Sequence, residues 1–235
     1  VKGGSFFEES FLRHSRVWYW YEHALDREKC ATGELPAIVS VVMSSRENAA
    51  ALEKARSLGI PTYVVRRRDF QSQTEYEDKM ITILRAHNVD LVVLAGFLNI
   101  LSPHFIDAFR WRIINVHPSL IPAFCGPGYY GMKVHEAVIQ YGVKITGVTV
   151  HFVDESVDGG PIILQRPVEV DDDDTPETLA EKVKQVEHEA LPEAIRLIAE
   201  DRLRIIGRKV LIRRESHGQG LDLGVGQNES GGHRA

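Results

Sequence analysis

The chain has 235 residues, 43 % of them hydrophobic and 26 % charged, with a formal net charge of −5. Those proportions belong to an ordinary globular protein, and the acidic balance leaves no footprint for a nucleic-acid backbone. No apolar run approaches the ~20 residues that span a bilayer, and the first residues, with Glu8, Glu9, Arg13, His14 and Arg16, lack the apolar core of a signal peptide. The expectation is a cytoplasmic protein with neither membrane nor nucleic-acid partners.

Along the chain, short apolar runs alternate with helical patterns. Residues 38–43 read as a strand, 48–58 as a helix stopped by Gly59, and 62–65 as the next strand. A helix follows over 75–87, then a fully apolar strand over 91–95 and another apolar run over 112–116 that Pro118 closes. Residues 134–141 look helical, 147–153 alternate as a strand, and 162–170 pair with it after an Asp-Gly-Gly turn. The last helix spans about 176–200, with Asp174 as its cap, Pro176 in its first turn and Glu177 closing a capping box. The acidic run 171–174 lacks the interleaved glycine and closing glutamate of a calcium loop and reads as a solvated turn leading into that cap. Alternation of this kind predicts an α/β fold, a Rossmann-like, mostly parallel sheet flanked by helices in a single domain. Beyond Glu215 the composition turns to Gly, Gln, Asn and Ser, and residues 216–235 read as a disordered tail.

The chemistry concentrates at two places. Asn115 and His117 stand two apart at the end of a strand, so both face one side of it, at the carboxyl edge where open α/β sheets bind ligands. Asp158 lies in the turn Asp158-Gly159-Gly160-Pro161. An amide, an imidazole and a carboxylate suffice to hold an oxyanion and move a proton in acyl transfer if the fold unites them. From spacing alone, Asn115 and His117 could equally be polar residues that end a strand. Cys30 and Cys125 have no metal-ligand spacing and suggest no disulfide framework. Cys125 sits near the site in the loop 124–131, but transfer to an amine needs no covalent intermediate. No metal is expected.

From about residue 37 to 207 the chain resembles the phosphoribosylglycinamide formyltransferases, the folate-dependent family of purine synthesis. The resemblance is carried by five ordered blocks: Leu94-Ala95-Gly96-Phe97-Leu98-Asn99-Ile100-Leu101-Ser102-Pro103, Asn115-Val116-His117-Pro118-Ser119, Gly147-Val148-Thr149-Val150-His151-Phe152-Val153, Asp158-Gly159-Gly160-Pro161-Ile162-Ile163-Leu164-Gln165 and Glu187-His188. It implies transfer of the formyl group of 10-formyltetrahydrofolate to the amine of glycinamide ribonucleotide, by a monomer or homodimer. Asn115, His117 and Asp158 are then catalytic, with Asp158 raising the pKa of His117. Asp154 is a rival carboxylate, set aside because the Asp-Gly-Gly-Pro context matches the family at 158. Leu98, Asn99, Ile100 and Leu101 would line a pteridine pocket, with Asp154, Glu155, Ser156, Val157 and Asp158 opposite and Asn115 between; otherwise Ile100 and Leu101 are core residues at a helix start. Glu187, Lys184 and Gln73 would serve the second substrate, Gln73 standing where many relatives carry arginine. His151 reads as a structural residue beside the cluster, with Thr149 a lesser candidate. A formyltetrahydrofolate hydrolase, a methionyl-tRNA formyltransferase and a non-catalytic folate-binding relative are the competing readings.

The amino-terminal segment, residues 1–29, departs from the family, whose first strand leads into a glycine-rich loop that holds the substrate phosphate on backbone amides. At that place the chain reads Val17-Trp18-Tyr19-Trp20-Tyr21-Glu22. The codons TGG TAY TGG TAY GAR CAY, read one base later, give Gly-(Thr/Ile)-Gly-(Thr/Met)-(Asn/Ser)-(Thr/Met), the missing loop in place. Residues up to about Lys29 therefore read as a frame-shifted translation, and the formyltransferase domain as 30–215. Taken as genuine, the aromatics would be a partner-binding or membrane-surface element, and the edge of the sheet would be disturbed. Gly3-Gly4-Ser5 is a weak alternative phosphate loop, since no strand precedes it.

Overall fold

A computed structural model describes residues 35–213 and, for residues 15–20, the backbone. The Gly3-Gly4-Ser5 reading, Cys30 and the expected tail 216–235 lie outside the described residues, as does most of the 1–29 segment.

Among the described residues, nine strands form one sheet in the order β3-β2-β1-β4-β5-β6-β7-β9-β8. They are β1 (Ser15–Trp20), β2 (Ala37–Ser44), β3 (Thr62–Val64), β4 (Leu91–Leu94), β5 (Ile113–His117), β6 (Ile145–Phe152), β7 (Ile162–Glu169), β8 (Leu203–Ile206) and β9 (Lys209–Ile212). The first five run parallel; β6 is antiparallel to β5, and β7 to β6, with Asn115 opposite His151 and His117 opposite Thr149. The expected layout and the β6–β7 pairing are thus present, and the short Asp-Gly-Gly connection makes that pair antiparallel.

The helices are α1 (Ala50–Ser57), α2 (Gln73–Ala86), α3 (Pro103–Ala108), α4 (Met132–Tyr141) and α5 (Pro176–Ala199). They cover both faces, which is why β4 is apolar throughout: Leu91 and Val93 join the cluster with Leu52, Leu179 and Ile195, while Val92 and Leu94 join Tyr76, Met80 and Phe105. Gly59, at φ +68, takes the left-handed conformation that ends α1's turn.

Two expectations are corrected, and one element was not expected. The cap of α5 is Thr175, whose side chain accepts from the Thr178 amide while the Thr178 hydroxyl oxygen accepts from the Thr175 amide. Asp174 instead accepts from the Thr178 hydroxyl, the Asp171 amide and Lys182, and Glu177 takes no part in the box. Residues 15–20 are not at the sheet's edge but between β2 and β4, and they form strand through Trp20, with a register shift between Val17 and Trp18. Leu203–Ile206 and Lys209–Ile212, which carry no strong strand signal, form a hairpin that extends the sheet beside β7.

Candidate active site

The chain runs outward from β1 to β3, then returns to β4 on the other side of β1. Loops leaving the carboxyl ends on either side of such a reversal diverge, and a crevice opens. A cavity of about 330 Å³ lies beside it, lined by residues of the loop after β4, the end of β5, the loop 126–131 and the loop after β6.

Asn115, His117 and Asp158 all line this cavity. The period of two in β5 puts the amide and the imidazole on one face. His117 is buried, with Nδ1 3.6 Å from Asp158 Oδ2. Its Nε2 lies 2.9 Å from the Phe124 carbonyl, to which it donates, so Nδ1 on the Asp158 side is the atom free to exchange a proton. The Gly126 amide donates to Asp158 Oδ2 at 2.9 Å. One turn, 124–126, thus fixes both the histidine and the carboxylate.

His151 has a larger part than the sequence suggests. It lines the cavity, its Nδ1 donates to the Phe152 carbonyl at 2.8 Å, and its Nε2 lies 3.2 Å from Asn115 Nδ2 and 3.8 Å from Asp158 Oδ1. Burial holds its pKa below the ordinary histidine value, partly offset by the Phe152 carbonyl and Asp158. The neutral ring therefore accepts one Asn115 N–H, which orients the amide and leaves its second N–H for a ligand oxygen. Thr149 sits behind the site, where its hydroxyl donates to the Ser119 carbonyl and accepts from the Ile121 amide and Gln165.

Asp158 itself adopts φ +53, a conformation that aspartate tolerates better than most residues. The chain behind it is crowded: a Cβ at Gly160 would come within 1.8 Å of the Phe152 carbonyl oxygen. Only glycine fits. Asp154 accepts from the amide of Ser156 at 2.9 Å and from its hydroxyl. Its carboxylate is engaged in that turn, and it is Asp158 that faces both histidines.

Leu98, Asn99, Ile100 and Leu101 form one wall, and Asp154, Glu155, Ser156 and Val157 another. Leu98 and Ile100 are 58 % and 68 % exposed, which removes the core reading for Ile100; Leu101 is buried. Apolar side chains held open over a cavity, with main-chain groups beside them, suit the faces and edges of a fused heteroaromatic ring.

The three residues expected at the second substrate lie outside the described lining. Gln73 is behind the 98–101 loop, its amide bonded to Glu77, Ile100 and Arg67. Glu187 and Lys184 lie on α5, Lys184 3.7 Å from Glu181. Glu187 is half-buried, and burial pushes its pKa up to about 7 against the pull of Lys184. The Cys125 thiol is raised by burial and then by Asp158, and it donates to the Pro122 carbonyl, so it remains a thiol at neutral pH. Among the described residues, no group of three or more His, Cys, Asp or Glu is placed to hold a metal, and no helix is long and apolar enough to cross a membrane.

Sequence reading missed the lining by Pro127, Tyr129 and Tyr130 and the role of the Phe124 carbonyl. Three glycines in 126–131 at positive φ were the available signal.

Residues 21–195 match the family described as formyl transferase. The chain is 40 % identical over 185 residues to the phosphoribosylglycinamide formyltransferase of Mycobacterium tuberculosis, spanning 79 % of this chain and 83 % of that one. It is 42 % identical over 163 residues to the trifunctional purine biosynthetic protein adenosine-3 of Gallus gallus, spanning 69 % of this chain and only 16 % of the chicken protein. The crystal structure of glycinamide ribonucleotide transformylase 1 from Symbiobacterium toebii superposes with a TM-score of 0.80 at 37 % identity, covering 91 % of this chain and all of that one. The chain belongs to the formyl transferase family.

Proposed function

We propose that this protein transfers the formyl group of 10-formyltetrahydrofolate to the primary amine of glycinamide ribonucleotide, in the cytoplasm and without a metal, as a monomer or homodimer. The observation that carries this reading is the convergence of Asn115, His117 and Asp158 on one cavity walled by the loops 98–101 and 154–158. The names of the relatives support the choice of substrates.

The amine attacks the formyl carbon, and the carbonyl electrons move onto oxygen. The free N–H of Asn115, oriented by His151, donates to that oxyanion. A proton leaves the amine nitrogen, and one must reach the folate nitrogen as its bond to carbon breaks. His117 Nδ1, facing Asp158 across 3.6 Å, is the group placed to carry it, and the Asp158 carboxylate balances the imidazolium. Gains and losses of protons cancel. The pteridine would lie against Leu98, Ile100 and Val157, and Glu187 and Lys184 would act on the ribonucleotide side, while Gln73, bonded to Arg67, Glu77 and Ile100, faces away from it.

The ribonucleotide's phosphate requires small residues after the central strand. β1 occupies that strand's place by its pairing with β2 and β4, and it runs through the aromatics Trp18, Tyr19 and Trp20, after which the sequence offers Tyr21-Glu22-His23 in place of small residues. The reading of residues 1–29 as a shifted frame accounts for this, with 30–215 as the formyltransferase domain and 216–235 as a tail.

The test is formyl transfer by the chain as printed beside a version whose residues 11–29 are replaced by their shifted-frame translation, with products analysed for transfer to amine or to water. Turnover to the amine by the repaired chain alone supports both readings. Equal activity of the two overturns the frame reading. Formate as the product, or folate binding without turnover by either chain, overturns transferase function in favour of a hydrolase or a binding protein.

A further inference from the structure

Helix α2 buries an acid directly beneath the loop that follows β4. Glu77 is 0 % exposed, on the helix face that carries Tyr76, Met80, Ile81 and Leu84. A carboxylate in such surroundings is strongly unfavourable unless donors meet its oxygens. They do, and two of the three come from Ser102: its backbone N–H donates to Oε1 at 2.8 Å and its hydroxyl to Oε2. The third is Gln73 Nε2, which donates to Oε1 at 2.7 Å.

The rest of the network follows the same direction. Gln73 Nε2 also reaches the Ile100 carbonyl at 3.3 Å, while Gln73 Oε1 accepts from Arg67 Nε at 2.9 Å. Ser102 opens α3, where a serine hydroxyl would ordinarily cap the helix amides. Here it makes no such bond, and Glu77 has it instead. Glu77, Gln73 and Arg67 do not line the cavity, whereas residues 98–101 do. An apolar residue at 77 would fill the helix face as well as glutamate does. What the acid adds is a grip on Ser102 and, through Gln73, on Ile100, which keeps Leu98 and Ile100 over the cavity instead of collapsed onto the core.

We propose that Glu77 is the positioning residue of the folate-binding loop, presetting its backbone so that a reduced folate binds without first ordering it. This rests on the folate reading above. Gln73 is then a strut behind the loop rather than a contact to either substrate.

The experiment is calorimetric titration of the chain with 10-formyltetrahydrofolate, which needs no turnover, for the wild type, Glu77→Ala, Glu77→Gln, Ser102→Ala and Leu84→Ala. Leu84 is fully buried on the same helix and has no bond to the loop. Glu77→Ala should weaken binding about tenfold or more, the scale of a lost hydrogen-bonded charge. Glu77→Gln, which keeps an accepting oxygen for the Ser102 amide, should recover part of it. Leu84→Ala should lower the melting temperature yet leave binding within about twofold of wild type. In turnover, the folate KM should rise while kcat and the KM for the amine hold. Should Glu77→Ala fail to fold, Ser102→Ala carries the test and should weaken binding about threefold or more. Unchanged binding in the Glu77 or Ser102 variants, or equal weakening by Leu84→Ala, overturns the positioning role alone. A wild type that binds no reduced folate overturns the folate reading and this role together.

Discussion

The two loops that face each other across the cavity are held by opposite means. Loop 98–102 is tied from beneath by a carboxylate shut away from water, with bonds to Ser102 and, through Gln73, to Ile100. Loop 154–160 is tied from outside: Arg110 reaches Glu155 at 2.5 Å and Arg208 reaches the Gly159 carbonyl at 2.7 Å, both in exposed positions. At Asp158 a side chain of the second loop enters a dry environment, against His117, His151 and the Gly126 amide. Hydrogen bonds keep their strength when buried and lose most of it to solvent when exposed. The first loop is therefore a fixed wall of the cavity, and the second is a pliable cover hinged on one fixed carboxylate.

If that division holds, defects in chemistry belong to the second side and defects in affinity to the first. Asp158→Asn should give the largest effect, a fall in kcat of about 10²–10⁴-fold with little change in the folate KM, measured by steady-state formyl transfer. Asn115→Ala removes the donor proposed for the developing oxyanion and should lower kcat about 10²–10³-fold. A comparable rise in KM from either substitution would erase the distinction between wall and chemistry.

How far the sequence showed this division depends on where each function resides. β4 and β5 were legible because every residue is apolar up to Asn115, and Asn115 and His117 because a period of two and the family blocks agree. The hairpin β8–β9 was not, because each strand is only four residues long, Leu203-Arg204-Ile205-Ile206 and Lys209-Val210-Leu211-Ile212, too short for a period to show. Thr175 and Asp174 are both good caps, and only the backbone geometry chooses between them. The hold of Phe124 on His117 is made by a main-chain carbonyl, which leaves no mark on side-chain identity. Glu77 reads as one more charge on an amphipathic helix until Ser102, distant in sequence, is folded against it. β1 was hidden for a different reason, since bulky aromatics were read as displacing a glycine loop and the central strand still runs through them.

The wall itself can be tested without touching its anchor. Ile100→Ala removes an apolar side chain that is open in the free protein and would be covered by a ring, so the folate KM should rise about tenfold, in line with ~1.5–3 kcal/mol for burying such a side chain, while kcat holds. For the buried histidines the marker is acid. His151 and His135 both have pKa values lowered by burial, so below the unfolded value of about 6.5 the unfolded chain binds more protons than the native one. Their contribution is complete above that pH and is lost as pH falls through it toward the lowered native values. Thermal melts at pH 7.5 and 5.5 should show a drop that His135→Asn, which leaves Asn115, His117 and Asp158 in place, makes smaller. An equal drop in the variant would remove His135 from the account.

The smallest effect is expected where the drawn contacts are most numerous. Arg110 bonds both Asp107 and Glu155 and is the tie between α3 and the cover loop. Its partners hold its pKa above the ordinary arginine value, and Arg110 in turn holds Glu155 below the usual carboxylate range. All three groups are in water, however, where such pairs contribute little and salt screens what they do contribute. Arg110→Ala should therefore change the folate KM by about threefold at most and leave kcat alone. Raising the ionic strength should move the wild type toward the variant and the variant hardly at all. If Arg110→Ala instead matched Glu77→Ala in its effect on folate binding, the cover would be as rigid as the wall, and burial would not be what separates them.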